Sequence, residues 1–337
     1  MPKPELTFFC ELPTVQLSEL FDGRFLIDDL KDLGANLSLG ILDLSEERAK
    51  VVERLNKAGL PVTAWLLLPE EQGYWFNIDN VQDATARYLA FKDWTDQYDL
   101  NWSGVGLDIE ININDARQVL EKDQANQFLS TLFSRYFEKQ KTVEAQRAYQ
   151  SLVDLIRADG YLVESYHLPL ITEERRGRSS VLQRTLGLVD IITDREVLML
   201  YSSFLRPNGE AILWSYAPDA DSIGVGSTGG GVEIKGVIDI PPLSWEELSR
   251  DLRFCAALGK PIHIFSLEGC VQQDFISRLS HFEWDKPLDP PHGTGKIKAL
   301  RTGLAAALWV LERPWVILAS LLTFIGLGLL FKKNRQN

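Results

Sequence analysis

Short runs of aliphatic and β-branched residues recur along the chain, each bounded by Gly, Pro, Asn or Asp. They are Leu6–Leu12, Leu37–Leu42, Val62–Leu68, Val105–Ile111, Tyr161–Tyr166, Val197–Ser202, Ile223–Gly226 and Ile262–Leu267. Between them apolar positions return at helical spacing. A helix is predicted from Ser45, whose side chain suits an N-cap, to the stop at Gly59-Leu60-Pro61. Others are predicted over Asn80–Gln97, over Asp115–Asp159 as one long or broken helical region, and from the Ser244-Trp245-Glu246-Glu247 capping box to Leu258. Strand and helix alternating eight times predict a (β/α)8 barrel of TIM type over about residues 5–283. An open dinucleotide-binding sheet is the alternative, but no G-x-G-x-x-G follows the first strand.

The fourth run stands apart in its polar pattern. Val105, Leu107, Ile109 and Ile111 share one face of the strand, and Gly104, Gly106, Asp108 and Glu110 share the other. Two carboxylates are thus aimed together at a strand's C-terminal end, beside glycines that leave room around them. That is a catalytic position in a barrel enzyme. The other strand ends add Glu11, Asp43, Glu164, His167, Tyr201 and Glu268. Crowded carboxylates raise one another's pKa, and a protonated one serves as general acid at neutral pH. Glu164 and His167, three positions apart, face opposite sides while both remain in strand, and Asp43 suits the turn before the Ser45 cap.

Charge changes the picture of the chain's end. The net charge of −12 is split between a body at −18 and a tail, 296–337, at +6 from seven basic residues and Glu312. So acidic a body repels phosphate backbones, which excludes nucleic acid as a partner. Residues 285–295 read as a Pro/Gly linker, 296–313 as a basic amphipathic helix, 314–331 as a transmembrane helix and 332–337 as a basic tail. Trp315–Phe331 holds no charged residue and is flanked by Arg313 and by Lys332-Lys333. Lipid is therefore an expected partner through this single-pass anchor. With no export signal near Met1, the barrel (1–284) is expected on the cytoplasmic side. Cys10, Cys255 and Cys270 show no CxxC spacing and read as buried free thiols, with no metal and no cofactor implied.

Asp108-x-Glu110 on a fourth strand resembles the catalytic strand of glycoside-hydrolase TIM barrels, notably the chitinase-like and lysozyme-like ones. The resemblance implies that Glu110 is the proton donor and that Asp108 orients it or stabilises positive charge. Met199-x-Tyr201 resembles part of the chitinase M-x-Y-D motif, in which the tyrosine positions a substrate group. The fuller pattern has aspartates where this chain has Gly106, Ser103 and Ser202. Glu268, Glu164 and Glu11 are further substrate-binding candidates, and Trp75, within Tyr74-Trp75-Phe76, offers a flat face for a sugar ring. Trp65 and Trp102 read as core.

Three other readings use the same residues. Gly226-Ser227-Thr228-Gly229-Gly230 after the seventh strand suits an anion-binding loop, hence an enzyme acting on a phosphorylated or anionic small molecule. Glu110, Glu164 and Glu268 suit a divalent metal in an isomerase or lyase. A non-catalytic carbohydrate-binding barrel is the third.

Overall fold

The computed structural model describes residues 3–23, 25–120, 125–230 and 240–316. Eight parallel strands close into a barrel in chain order: β1 (Leu6–Cys10), β2 (Ala35–Ile41), β3 (Val62–Leu66), β4 (Gly104–Ile109), β5 (Leu162–His167), β6 (Arg195–Met199), β7 (Ser222–Gly226) and β8 (Ile262–Phe265). β1 pairs with both β2 and β8, which closes the ring. All eight predicted runs are strands, with edges shifted by a few residues.

Helices surround them: α1 (Thr14–Asp22), α2 (Leu26–Asp32), α3 (Glu46–Ala58), α4 (Val81–Tyr98), α5 (Ile113–Leu120), α6 (Ala125–Arg135) and α7 (Lys139–Ala158). Then follow α8 (Ile171–Gly177), α9 (Val181–Leu186), α10 (Gly209–Tyr216), α11 (Trp245–Ala257), α12 (Leu267–Gln272), α13 (Phe275–Ser280) and α14 (Thr294–Leu311). The capping signals act as their chemistry requires. Ser45 accepts from the Arg48 N–H, Gly59 ends α3 in the left-handed region, and Ser244 and Glu247 close a reciprocal capping box on α11. The long region after β4 is broken into α5, α6 and α7.

Alternation divides the core in two. Val105, Leu107 and Ile109 join the shell between strands and helices, as do their counterparts Leu6 and Phe8, Val62 and Ala64, and Ile262 and Ile264. Inside the barrel a second cluster gathers Phe9, Trp65, Leu67, Tyr74, Tyr166, Val197 and Met199. Stacked rings fill the lumen, with Phe9 edge-on to Tyr166 at 4.9 Å and to Trp65 at 5.1 Å. The barrel is therefore plugged below, and any site must lie above these rings.

Residues 286–291 carry no regular secondary structure. The helix after them does not stand apart on its linker, because α14 packs along α8 and α10. Buried Arg301 reaches Glu173 at 2.6 Å and Asp219 at 2.5 Å, and its guanidinium lies 3.7 Å over the Tyr216 ring. The basic helix has spent one of its charges inside the protein. Among the described residues no helix is long and apolar enough to cross a membrane. Nearly all of the predicted span at 314–331, and the tail at 332–337, lie outside the described residues.

Candidate active site

Asp108 is the last inward-facing residue of β4, and Glu110 follows where the strand ends. Their backbone is fixed by the β3–α4 loop, which returns to pair with it. Phe76 donates its N–H to the Asp108 carbonyl at 2.8 Å, and the Glu110 N–H donates to the Phe76 carbonyl at 3.1 Å. The loop is itself stapled, since Asn80 donates to the Trp75 carbonyl at 2.9 Å and Tyr149 donates to the Asn77 carbonyl at 3.0 Å. A rigid frame thus sets the direction of both carboxylates.

One Asp108 oxygen accepts from the Trp65 indole at 3.0 Å. The other, Oδ1, is buried with no hydrogen-bond partner among the described residues. Burial, then the charges of Glu110 and Glu11, push the Asp108 carboxyl well above the usual range, against the pull of the Trp65 N–H. Burial raises Glu110 to about 7. Two neighbouring acids in one poorly solvated place cannot both ionise freely, so the pair holds a proton near neutrality. Arg175 and Arg176 do not neutralise it: Arg175 pairs with Asp190 and Glu196, and Arg176 with Asp219.

Two further acids border the pair. Glu11, just past β1, accepts from the Tyr74 hydroxyl at 2.5 Å, and its N–H donates to Glu268 at 3.4 Å. Tyr201, after β6, lies close enough to Asp108, Glu110 and Glu11 for all three to raise its hydroxyl, though burial is the larger cause. Its ring packs on Phe265 at 5.7 Å. Gly224 leaves the space into which Tyr201 leans, since a Cβ there would stand 3.3 Å from the Tyr201 ring. Of the three aromatics in the loop, Trp75 alone is partly exposed, edge-on to Tyr74 at 5.4 Å. Tyr74 is buried against Glu11, and Phe76 faces the outer shell. The structure therefore brings together Asp108, Glu110, Glu11, Glu268, Tyr201 and Trp75.

Other predicted residues lie elsewhere. Glu164 pairs in register with Gly106, one inward layer below Asp108. There it meets His263 at 3.4 Å, Arg195 at 3.4 Å and the Tyr166 hydroxyl at 3.3 Å, beneath the aromatic plug. The strand runs three residues past Glu164, so this acid belongs to the lower end of the barrel, and its partners hold it below the usual carboxylate range despite burial. His167 is buried on the outer face. Asp43 accepts from Thr14 and from both the backbone and hydroxyl of Ser45, the turn role read from sequence.

The loop after β7 does not offer its N–H groups to an anion. That of Ser227 donates to Ser203 at 2.7 Å, that of Thr228 to the Phe265 carbonyl at 2.8 Å, and that of Gly229 to the Ser227 hydroxyl at 3.1 Å. The loop is bound to the β8 end instead, where Ser266 donates to the Gly229 carbonyl at 2.5 Å. Gly230 lies against the Glu268 side chain, so closely that a Cβ would collide with it. A carboxylate in that position repels an anionic ligand. The glycines serve close packing of two βα loops. Nor do Glu110, Glu164 and Glu268 form a metal cluster, and among the described residues no three His, Cys, Asp or Glu side chains are gathered for one.

Sequence reasoning read Trp65 as core and did not single out Phe265. Trp65 and Phe265 occupy inward positions of their strands by the same alternation that singled out Asp108. What marks them as part of the site is contact across the barrel, Trp65 with the Asp108 carboxyl and Phe265 with the Tyr201 ring, which no local pattern carries.

No family model matches this chain, and no curated protein matches it. Among solved structures it is similar to a GH18 chitinase from Pseudoalteromonas aurantia, at 10% identity and a TM-score of 0.45, over 83% of this chain and 100% of that one. It is also similar to an L-ribulose 3-epimerase, at 13% identity and a TM-score of 0.41, over 94% of this chain and 98% of that one. A third is Saccharomyces cerevisiae Gas2p in complex with laminaripentaose, at 14% identity and a TM-score of 0.39, over 77% of this chain and 56% of that one.

Proposed function

We propose that this chain is a membrane-anchored, glycosidase-like barrel enzyme that cleaves a glycosidic bond with Glu110 as general acid/base and Asp108 as its partner. The observation that supports this most is the Asp108–Glu110 pair at the end of β4, Asp108 buried and Glu110 half-buried, with both carboxyls raised and Glu110 at about 7. A carboxyl with that value is protonated often enough at neutral pH to give its proton to a leaving oxygen, and ionised often enough to take one back from water. Asp108 Oδ1, without a hydrogen-bond partner among the described residues, is available when ionised to positive charge developing on a sugar ring, and the Trp65 indole fixes the orientation of that carboxylate. Tyr201 and Trp75 supply a hydroxyl and a ring face for positioning. Glu11 and Glu268 on the β1–β8 side are the further carboxylates within reach of a bound sugar. The uncharged run from Trp315 serves as the anchor.

Glu110→Gln keeps the shape and removes the proton donor. Wild-type protein is expected to release sugar from an oligosaccharide panel, and the variant to lose at least a hundredfold in rate while retaining binding in calorimetry. Unchanged hydrolysis in the variant would remove Glu110 from the acid role. Hydrolysis by neither protein, with binding by both, would leave a carbohydrate-binding barrel.

A further inference from the structure

α14 has two different faces. One carries Arg301, Ala305 and Leu308 against the barrel, where the helices approach so closely that a Cβ on Gly177 would stand 2.8 Å from the Ala305 carbonyl. The other carries Leu300, Leu304, Ala307 and Leu311, spaced four, three and four residues apart and so aligned within a narrow arc. Leu300 is 68% exposed and Leu311 41%, and just beyond the helix Trp315 is 67% exposed. An apolar stripe of this kind on a basic helix needs a covering surface.

The covering surface is indicated by what borders the stripe. Lys296 stands beside its beginning, and α14 contains no acid in Thr294–Leu311, on a body that is otherwise strongly acidic. Its far end leads within four residues to Trp315 and the uncharged run through Phe331, which ends in Lys332-Lys333. We infer that α14 lies in the interface of an anionic bilayer, with Leu300, Leu304, Ala307 and Leu311 among the headgroups and first methylenes, so that the barrel is held flank-on to the membrane rather than swinging on a tether. Lys296 adds attraction to anionic lipid, which the acidic barrel lacks. The Arg301 cluster makes the placement rigid, because α14 cannot turn without breaking the buried Arg301 contact and leaving Glu173 only the longer Arg176 ion pair at 3.6 Å. At the helix's end Glu312 binds Lys139 at 2.6 Å, while Lys141, half a turn on, binds Asp79 of the loop whose Phe76 fixes Glu110. The membrane contact is thus joined through the start of α7 to the frame of the site.

The inference rests on the tether reading of residues 314–331, and one experiment separates the two. The full chain, reconstituted in vesicles of phosphatidylcholine and phosphatidylglycerol, is labelled with an environment-sensitive fluorophore through Leu300→Cys, Leu304→Cys or, as the control, Thr302→Cys. The native cysteines are buried and do not compete. Thr302 is exposed and lies on the far side of the helix from Leu300 and Leu304. The expected result is co-flotation with vesicles and a blue shift at 300 and 304. Shallow nitroxide lipids should quench most of the emission there, whereas the probe at 302 is quenched by aqueous iodide. Flotation with all three probes open to iodide overturns interfacial docking and leaves the tether. Probes at 300 and 304 shielded from both quenchers mean that protein covers the stripe, a second copy or residues 317–331, and overturn it as well. Failure to float overturns both.

Discussion

Gly106 decides how far this site departs from the chitinase pattern. Where that pattern carries an aspartate, Tyr166 crosses the lumen: a Cβ on Gly106 would overlap the Tyr166 hydroxyl and stand 2.6 Å from Cζ and 2.8 Å from Cε2. The hydroxyl is engaged with Ser38 at 2.8 Å. The missing aspartate is therefore space given to another residue, and restoring it alone cannot restore the pattern. Gly106→Ala is expected to destabilise by roughly 1–3 kcal/mol or more through overpacking, read as a lowered denaturation midpoint. Tyr166→Phe should not rescue it, because the ring carbons remain in place. At the other end of the acid pair, Trp65→Phe removes the only hydrogen bond the described residues give the Asp108 carboxyl, a bond that lowers its pKa. Asp108 must be ionised to stabilise positive charge, so losing the N–H moves the acidic limb of the rate–pH profile to higher pH. Loss of a hydrogen bond to a charged group, about 1.5–3 kcal/mol, sets the expected fall in kcat. An unmoved acidic limb would exclude Asp108 from that role.

At the scale of elements, the helix that ends the described chain is tied down by a buried charge. Arg301 and Glu173 are both inaccessible, and Arg301 also donates to Asp219 and to the Ser215 carbonyl. Removing one partner of such a pair strands the other in a medium that cannot solvate it. Arg301→Ala is expected to cost about 3–5 kcal/mol, localised as faster hydrogen exchange in α14 and α8 with the barrel strands still protected. This contact also marks what sequence could and could not convey. The strands were legible because each buried strand is a short apolar run with its own turn signals, and Asp108 and Glu110 were legible because period-2 alternation is a local property. The break of the region after β4 into α5, α6 and α7 was only half legible, since apolar spacing continues through it. The docking of α14 was not legible at all: Lys296, Lys298 and Arg301 look alike in sequence, and only the position of Glu173, 128 residues earlier, buries one of them. Glu164 illustrates the same limit. It stands in the correct strand on the inward face, but its depth depends on where β5 stops, and only the register with Gly106 fixes that.

For the molecule as a whole, the raised carboxyls set a dependence of stability on pH that is opposite to ordinary acid denaturation. Asp108, Glu110 and Glu174 all lie above their usual values, Glu110 and Glu174 at about 7, with burial the first cause in each. Free carboxyls titrate near about 4, so between there and about 7 the folded chain holds protons that the unfolded chain has lost, and stability falls as pH rises. Asp43, Glu164, Asp194 and Glu247 are shifted the other way, and their contribution is lost only as pH drops through values below the usual range. Together these place the maximum of thermal stability near the ordinary carboxylate pKa, with a decline toward pH 8. Repulsion within a body carrying a net charge of −18 acts in the same direction. Salt separates the two, because exposed charges are screened and a buried pair is not. Melting curves from pH 4 to 8 should therefore show a decline that added salt reverses only in part and that Glu110→Gln flattens, with variant and wild type converging near pH 4. A decline abolished by salt, or identical in the variant, would mean that the strand-end pair is hydrated and carries no stored proton, and with it would go the reason for placing the acid catalyst there.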